Sequence, residues 1–352
     1  MAELIDYLTR AVQDGASDLF LVAGGSVSEK LDGRIRAIDG EKLLPPETRR
    51  LISEIYRLAQ RPMEPYLQCG DDDFSFAVSG LARFRVNAYF QRGSLAAVVR
   101  VVAFDIPDWQ ALRIPDEVMK LADVSHGMVL VTGTAGSGKS TTQACIIDRI
   151  NRTRQAHIIT LEDPIEYLHR DQKSIVSQRE IAIDTTDYLS ALRACLRQAP
   201  DVILLGEMRD HETIRTAMTA AETGHLLIAT LHTNGAVNTI DRIIDSFPST
   251  QQSQIRVQLS MVLHTVVSQR LLPDKRGGMI PACEIMHMTP AIRSMIRDCK
   301  NHQIDNAIAA GASEGMCSMD QSILELYRKD FITRETALDY ADNPDQMLRH
   351  MG

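Results

Sequence analysis

Apolar positions recur at Leu4, Ile5, Leu8, Ala11 and Val12, a spacing that predicts one helical face over residues 1–13. A strand-like run follows from Ser17 to Val22. Asp32-Gly33, between Lys30-Leu31 and Arg34-Ile35, marks a hairpin turn. A helix is expected from Pro46 to Leu58. Residues 73–102 read as antiparallel sheet, and from Arg83 to Phe90 the alternation is strict. Phe84, Val86, Ala88 and Phe90 take one face; Arg83, Arg85, Asn87 and Tyr89 take the other. Gln91–Ser94 is the expected turn, and Leu95–Val102 the returning strand that carries Arg100.

Beyond this sheet, Pro107 and Pro115 punctuate a segment without clear periodicity, and residues 104–120 are expected to link two domains. Then short apolar runs alternate with helical stretches, as in a wound α/β sheet. The runs are Gly127–Thr132, His157–Leu161, Val202–Leu205 and Leu226–Leu231. Helical patterns include Thr141–Ile150, Tyr188–Arg197 and Glu212–Glu222. Past Gln251 the chain is expected to be mainly helical, with Thr289-Pro290 opening one helix. The expected organisation is 1–103, a linker at 104–120, a core at 121–285 and a helical region at 286–352.

Composition narrows the classes. A chain of 352 residues, 44% hydrophobic, fits two globular domains. A net charge of -8 gives no overall field favouring nucleic acid or anionic lipid. No apolar run approaches the ~20 residues that span a bilayer, and acids stand where a signal peptide needs a basic region. The six cysteines form no C-x-x-C pair, so reduced, mostly buried thiols in the cytosol are expected rather than a zinc site or disulfides.

In open α/β sheets, ligands sit beyond the carboxyl ends of the strands. All four runs end in polar or glycine-rich chemistry. After the first, Gly133-Thr134-Ala135-Gly136-Ser137-Gly138-Lys139-Ser140 matches G-x-x-x-x-G-K-[ST] in full. Its glycines let backbone N–H groups point at phosphates, and Lys139 adds a positive charge. Ser140 offers a hydroxyl to Mg²⁺, and Thr141 continues into the helix. After the second run, Glu162, Asp163 and Glu166 gather carboxylates around Pro164. One of these can polarise a water and another can hold the metal; a solvated acidic turn is the alternative. The third ends in Gly206-Glu207, with Gly206 where many such proteins carry a metal-binding aspartate. Glu207 then takes that work, unless it merely opens a helix. The fourth closes on His232, placed to sense a γ-phosphate or simply satisfied by its neighbours.

Together these segments resemble the Walker A, Asp box, atypical Walker B and His box of the secretion ATPases, the motors of type IV pili and type II secretion. Ala221–His225 and Arg197–Asp201 strengthen the resemblance, which covers essentially the whole chain. The missing cysteine pairs and the lack of a long N-terminal extension resemble the pilus-retraction, twitching-motility branch. So does Ala291–Asp298, close to that branch's AIRNLIRE helix except at Ser294, Met295 and Asp298. Ala135 stands where the branch usually has threonine. The resemblance implies an α/β fold, a PAS-like N-terminal domain followed by a RecA-like domain with C-terminal helices. It implies Mg-ATP hydrolysis with Glu166 as catalytic base, Glu207 at the metal, and arginines of the N-terminal sheet closing over the nucleotide. Arg85 and Arg100 rank ahead of Arg92 and Arg83; an ordinary solvated sheet face is the other reading.

The implied assembly is a cytoplasmic homohexamer, peripheral to the inner membrane at the pilus base. It would turn a membrane platform protein and so act on pilin indirectly, with no nucleic acid partner. An accessory retraction motor or a related secretion ATPase is the nearest alternative, and a RecA-like nucleic-acid motor the alternative from another class.

Overall fold

The computed structural model describes residues 3–31, 33–102 and 106–351. The chain falls into two compact units, Met1–Asp105 with Glu166–Leu168, and Ile106–Ile165 with His169–Gly352. Both are mixed α/β, the class expected.

The first unit is built on a six-stranded sheet, β1 (Asp18–Leu21), β2 (Ser26–Leu31), β3 (Arg34–Lys42), β4 (Asp71–Val78), β5 (Ala82–Gln91) and β6 (Ser94–Val102). All pairings are antiparallel, in the order β3-β2-β1-β6-β5-β4. The helices Leu4–Asp14 and Pro45–Leu58 contribute Leu4, Leu8, Leu51, Ile52 and Ile55 to one core with Phe84, Val86 and Ala88 of β5. Phe90 lies at the end of that face, its ring 5.3 Å from that of Tyr66 of the same core, and is 40% exposed. Arg92 and Gly93 both take positive φ, as a two-residue hairpin of matching twist requires. Asp32 lies outside the described residues.

On the other face of this sheet, Arg85 of β5 stands directly opposite Arg100 of β6, and Arg100 opposite Asp18 of β1. Arg100 Nε donates to Asp18 Oδ1 at 2.9 Å. Like charges directly opposite each other are unfavourable in a sheet, so the buried Asp18 carboxylate offsets part of that repulsion.

The second unit holds seven strands, β7 (Gly127–Thr132), β8 (His157–Glu162), β9 (Ile175–Glu180), β10 (Val202–Leu205), β11 (Leu226–Leu231), β12 (Leu263–Pro273) and β13 (Met279–His287). Their order is β13-β12-β7-β11-β10-β8-β9, parallel except for the antiparallel edge strand β13. The four apolar runs of the sequence are β7, β8, β10 and β11. The first, third and fourth are buried along their whole length, the pattern of strands covered by helices on both sides.

Two expectations need correction and one is incomplete. The region past Gln251 is mainly helical, as expected, but β12 and β13 form a long hairpin within it that no expectation included. Its strands are largely buried on both faces, so they show no alternation, and Pro281 argues against a strand. An edge strand tolerates it. For the same reason 285 is not a boundary: it falls inside β13, and the helices that follow pack in the same unit. The segment 104–120 is not a free linker over its described part. Ile114, Val118 and Met119 are buried against Val129, Val131, Cys145, Ile146 and Ile150. Arg113 pairs with Asp274 at 2.5 Å and lies 4.0 Å over the Phe331 ring. Prolines punctuate this stretch, yet its apolar residues still form a short helix, Asp116–Met119, running into a 3-10 turn.

Cys145, Cys195 and Cys283 are buried free thiols, whereas Cys69 and Cys299 are exposed. Among the described residues no helix is long and apolar enough to cross a membrane. The helix Pro290–Arg297 is capped by Thr289, whose Oγ1 accepts from the Ile292 N–H at 3.2 Å. Arg293 of that helix donates to the carbonyls of Ser260 and Met261 and so caps the preceding helix. Arg297 donates to Ser294 Oγ at 3.1 Å. The departure from an amide at Ser294 therefore serves a contact within the helix itself.

Because Met119 is fully buried, Met119→Ala is expected to destabilise the second unit by about 2–5 kcal/mol. Denaturant unfolding measures this, and a change below about 0.5 kcal/mol, as at a surface site, would return the segment to the status of a linker.

Candidate active site at the strand ends of the second unit

Parallel register brings the four strand ends to one edge. Leu205 of β10 pairs with Leu161 of β8 on one side and Ala229 of β11 on the other, and Leu231 pairs with Thr132 of β7. The residues just beyond therefore form one row.

The loop after β7 curls through three glycines at positive φ, Gly133, Gly136 and Gly138. At Gly133 an added Cβ would lie 2.3 Å from the Gln269 carbonyl and 2.6 Å from Ser137 Oγ. Only glycine fits there. The helix Lys139–Thr153 starts immediately after the loop. Lys139, 7% exposed, donates from Nζ to the Gly133 and Thr134 carbonyls at 3.0 and 2.8 Å. The loop thus wraps its own ammonium at a helix N-terminus, and Thr134, Ala135 and Gly136 stay exposed above it. Ser137 Oγ is buried without a hydrogen-bond partner. Such a nest of N–H groups, a fixed cation and a spare hydroxyl suits a polyphosphate.

Gln269, in the middle of β12 and 2% exposed, secures this loop. Its Nε2 donates to the Ser137 carbonyl at 2.7 Å, and its Oε1 accepts from Thr142 Oγ1 at 2.8 Å. Sequence reasoning missed it because it sits in a strand that carried no strand signal. A polar residue flanked by apolar ones was the only trace.

Beyond β8, Glu162 Oε1 accepts from Thr160 Oγ1 at 2.5 Å and from Gln178 Nε2 at 3.1 Å. Asp163 is exposed; Glu166, also exposed, groups with the first unit. Beyond β10, the Gly206 N–H donates to the Leu161 carbonyl at 2.8 Å. An added Cβ at Gly206 would meet the Tyr188 hydroxyl at 2.9 Å and the Leu161 carbonyl at 3.0 Å. Crowding therefore explains why glycine replaces aspartate here, and the carboxylate passes to the next residue. Glu207 accepts from Arg209 Nε at 2.7 Å, and His232 Nε2 lies 3.3 Å from its Oε1. The third and fourth strand ends are thus in contact, and His232 has a specific partner rather than a merely local one.

Tyr188 was also missed. Burial, then the charges of Asp163, Glu207 and Glu162, push its phenol above the ordinary range. It stays protonated and brings a hydroxyl donor into an acidic row. Its place in an ordinary helix start hid it.

Among the other arginines of this unit, Arg193 pairs with Glu212 at 3.3 Å, and Arg197 donates to the Arg193 carbonyl at 2.8 Å. Arg85 and Arg100 belong to the first unit. Among the described residues no group of three or more His, Cys, Asp or Glu is placed to hold a metal by itself. The oxygen donors present, Ser140, Glu162, Asp163 and Glu207, suit Mg²⁺, which takes one or two carboxylates and completes its shell with water and substrate phosphate.

Gln269→Leu is expected to destabilise the ligand-free protein by about 1–3 kcal/mol, since it strips a buried carbonyl of its partner. Thermal unfolding measures it; a neutral result would mean that the loop holds its own shape.

Comparison with known proteins agrees with this geometry. Residues 2–337 match the family model described as Type II/IV secretion system protein. The type IV pilus retraction ATPase PilT of Pseudomonas aeruginosa is 44% identical over 344 residues, covering 97% of this chain and 99% of that protein. The type IV pilus ATPase PilU of the same organism is 38% identical over 337 residues, covering 96% and 88%. A crystal structure of the pilus retraction motor PilT with bound ADP superposes with a TM-score of 0.90 at 43% identity, covering 99% of this chain and all of that one. On the strength of these matches and of the four strand ends, the chain belongs to the type II/IV secretion system protein family.

Proposed function

We propose that the protein is an ATP-hydrolysing motor that powers type IV pilus retraction and twitching motility. The observation that carries this reading is the glycine cradle around Lys139, set in one row with the Glu207–His232 contact. The relative identical at 44% along nearly the full length of both chains is named a pilus retraction ATPase, and that supports the direction of work. The relative at 38% is PilU, so an accessory motor is the second reading.

In this mechanism the N–H groups of residues 133–140, with Thr141, hold the β- and γ-phosphates, and Lys139 turns from the loop carbonyls toward them. Ser140 and Glu207, with Glu162 and Asp163, would hold Mg²⁺, which would neutralise charge on the phosphates. Glu166 orients and deprotonates the attacking water. His232 answers loss of the γ-phosphate through its contact with Glu207. Arg85 and Arg100 stabilise negative charge on the transferring group. The unfavourable placement of these two cations supports that role, because an anion between them relieves it. Subunits arranged head to tail in a hexamer on the cytoplasmic side of the inner membrane would drive a platform protein at the pilus base, and pilin through it.

Glu166→Gln is expected to bind ATP as the native protein does while hydrolysis falls about 10²–10⁴-fold. Nucleotide binding and phosphate release measure the two halves, and undiminished turnover removes Glu166 from the chemistry. A deletion strain should carry surplus pili without twitching; absent pili would overturn retraction.

A further inference from the structure

Glycine at 206 leaves a space that another residue's side chain fills. The Tyr188 hydroxyl lies 2.9 Å from where a Cβ of residue 206 would stand, so it takes the place from which an aspartate there would start toward a metal. The phenol is fixed in that place. Tyr188 is the first residue of the helix Tyr188–Cys195, whose cap, Asp187, accepts from the Ser190 N–H at 2.7 Å. Its half-buried ring packs on the apolar core of the second unit. The hydroxyl has no hydrogen-bond partner among the described residues. The charges around it are those of Asp163, Glu207, Arg209 and Glu162. Glu207 is engaged by Arg209 and His232, and Glu162 by Thr160 and Gln178. Asp163 is exposed and, like the phenol, without a partner among the described residues. One hydroxyl and one carboxylate are thus left open at the same end of the row, both in the second unit.

Resting on the reading that Ser140 and Glu207 hold Mg²⁺, we propose that Tyr188 stands in for the missing aspartate: its hydroxyl donates to Asp163, and its oxygen accepts from a water of the metal's shell. A phenol has one proton to give and lone pairs with which to receive. Mg²⁺ keeps several of its waters. Their oxygens face the metal and their hydrogens point outward, so they require acceptors from the protein. An aspartate at 206 would supply an acceptor with a full negative charge. The phenol supplies one without it, in a row that already carries Glu162, Asp163 and Glu207. Donation to Asp163 polarises the phenol oxygen and strengthens it as an acceptor. Tyr188 is then a positioning residue, acting on the metal through water and not on the reacting atoms.

Tyr188→Phe removes the oxygen and keeps the ring. Mg²⁺ titrated into the ADP complex of the whole chain, followed by calorimetry, should bind this variant about two- to tenfold more weakly than the native protein, the range of one hydrogen bond. ADP binding without metal should be unchanged. Asp163→Asn should also weaken Mg²⁺ binding, and the double variant should lose less than the product of the two single losses, because hydroxyl and carboxylate act as one unit. Unchanged metal affinity in Tyr188→Phe overturns the proposal. So does an equal loss of metal-free ADP binding, which would make the phenol a support for the loop alone. Single losses that simply multiply overturn the link to Asp163. Failure of the underlying metal reading looks different: Glu207→Gln would then bind Mg²⁺ as tightly as the native protein.

Discussion

Strands buried on both faces cannot slip in register without exposing apolar side chains, and the candidate site inherits its precision from that constraint. β7, β11, β10 and β8 lie side by side, parallel, and end at the same level. Each ends in a residue of different chemistry, so one packing problem places a cation, a set of carboxylates and an imidazole along a single edge. The Glu207–His232 contact needs no dedicated scaffold, since β10 and β11 are neighbours and both end there. The crowding that makes residue 206 a glycine has the same origin. Gly206 N–H binds the Leu161 carbonyl, so the backbones of β8 and β10 run too close for a side chain. The carboxylate found one residue later is a consequence of strand spacing.

The loop around Lys139 shows a second use of the sheet. A chain curled through Gly133, Gly136 and Gly138 has little intrinsic rigidity, since glycine is the residue that loses most freedom on ordering. Gln269 compensates from the adjacent strand. It fixes the Ser137 carbonyl and the Thr142 hydroxyl with the two ends of one amide, so loop and helix are tied to β12 by a single buried side chain. A polar network inside a core is stable only when fully satisfied, and here each end of the amide has its partner.

Legibility in the sequence tracked periodicity and motif length. The β5–β6 hairpin was readable to within a residue because one face is apolar and the other polar, and the glycine-lysine loop because eight consecutive residues match its motif. β12 and β13 were hidden because strands buried on both faces lose alternation, and Pro281 actively misleads. Gln269 was hidden with its strand, and Tyr188 by its place at an ordinary helix start. Each acts across long sequence separation, on a neighbour that only the sheet order supplies. The segment after Ile106 was obscured by its prolines, which punctuate a chain without saying whether it packs. Sequence spacing did not separate Glu162 from Glu166, whereas the structure ties Glu162 to Thr160 and Gln178 and leaves Glu166 exposed.

The first unit obeys ordinary sheet logic except in one row. Across β5, β6 and β1, the residues Arg85, Arg100 and Asp18 stand side by side, and the carboxylate pairs with Arg100. A sheet selected for stability alone would place a neutral or acidic residue at 85. Departures of local choice from the demands of the fold collect where function requires them. The Asp18 carboxylate is 5% exposed, while the Arg100 side chain that it holds is 63% exposed. One end of that pair is therefore anchored, and the guanidinium remains presented to solvent beside Arg85. Arg100 held in this way and the half-buried Arg85 opposite it leave two like charges adjacent, an arrangement that costs the sheet stability.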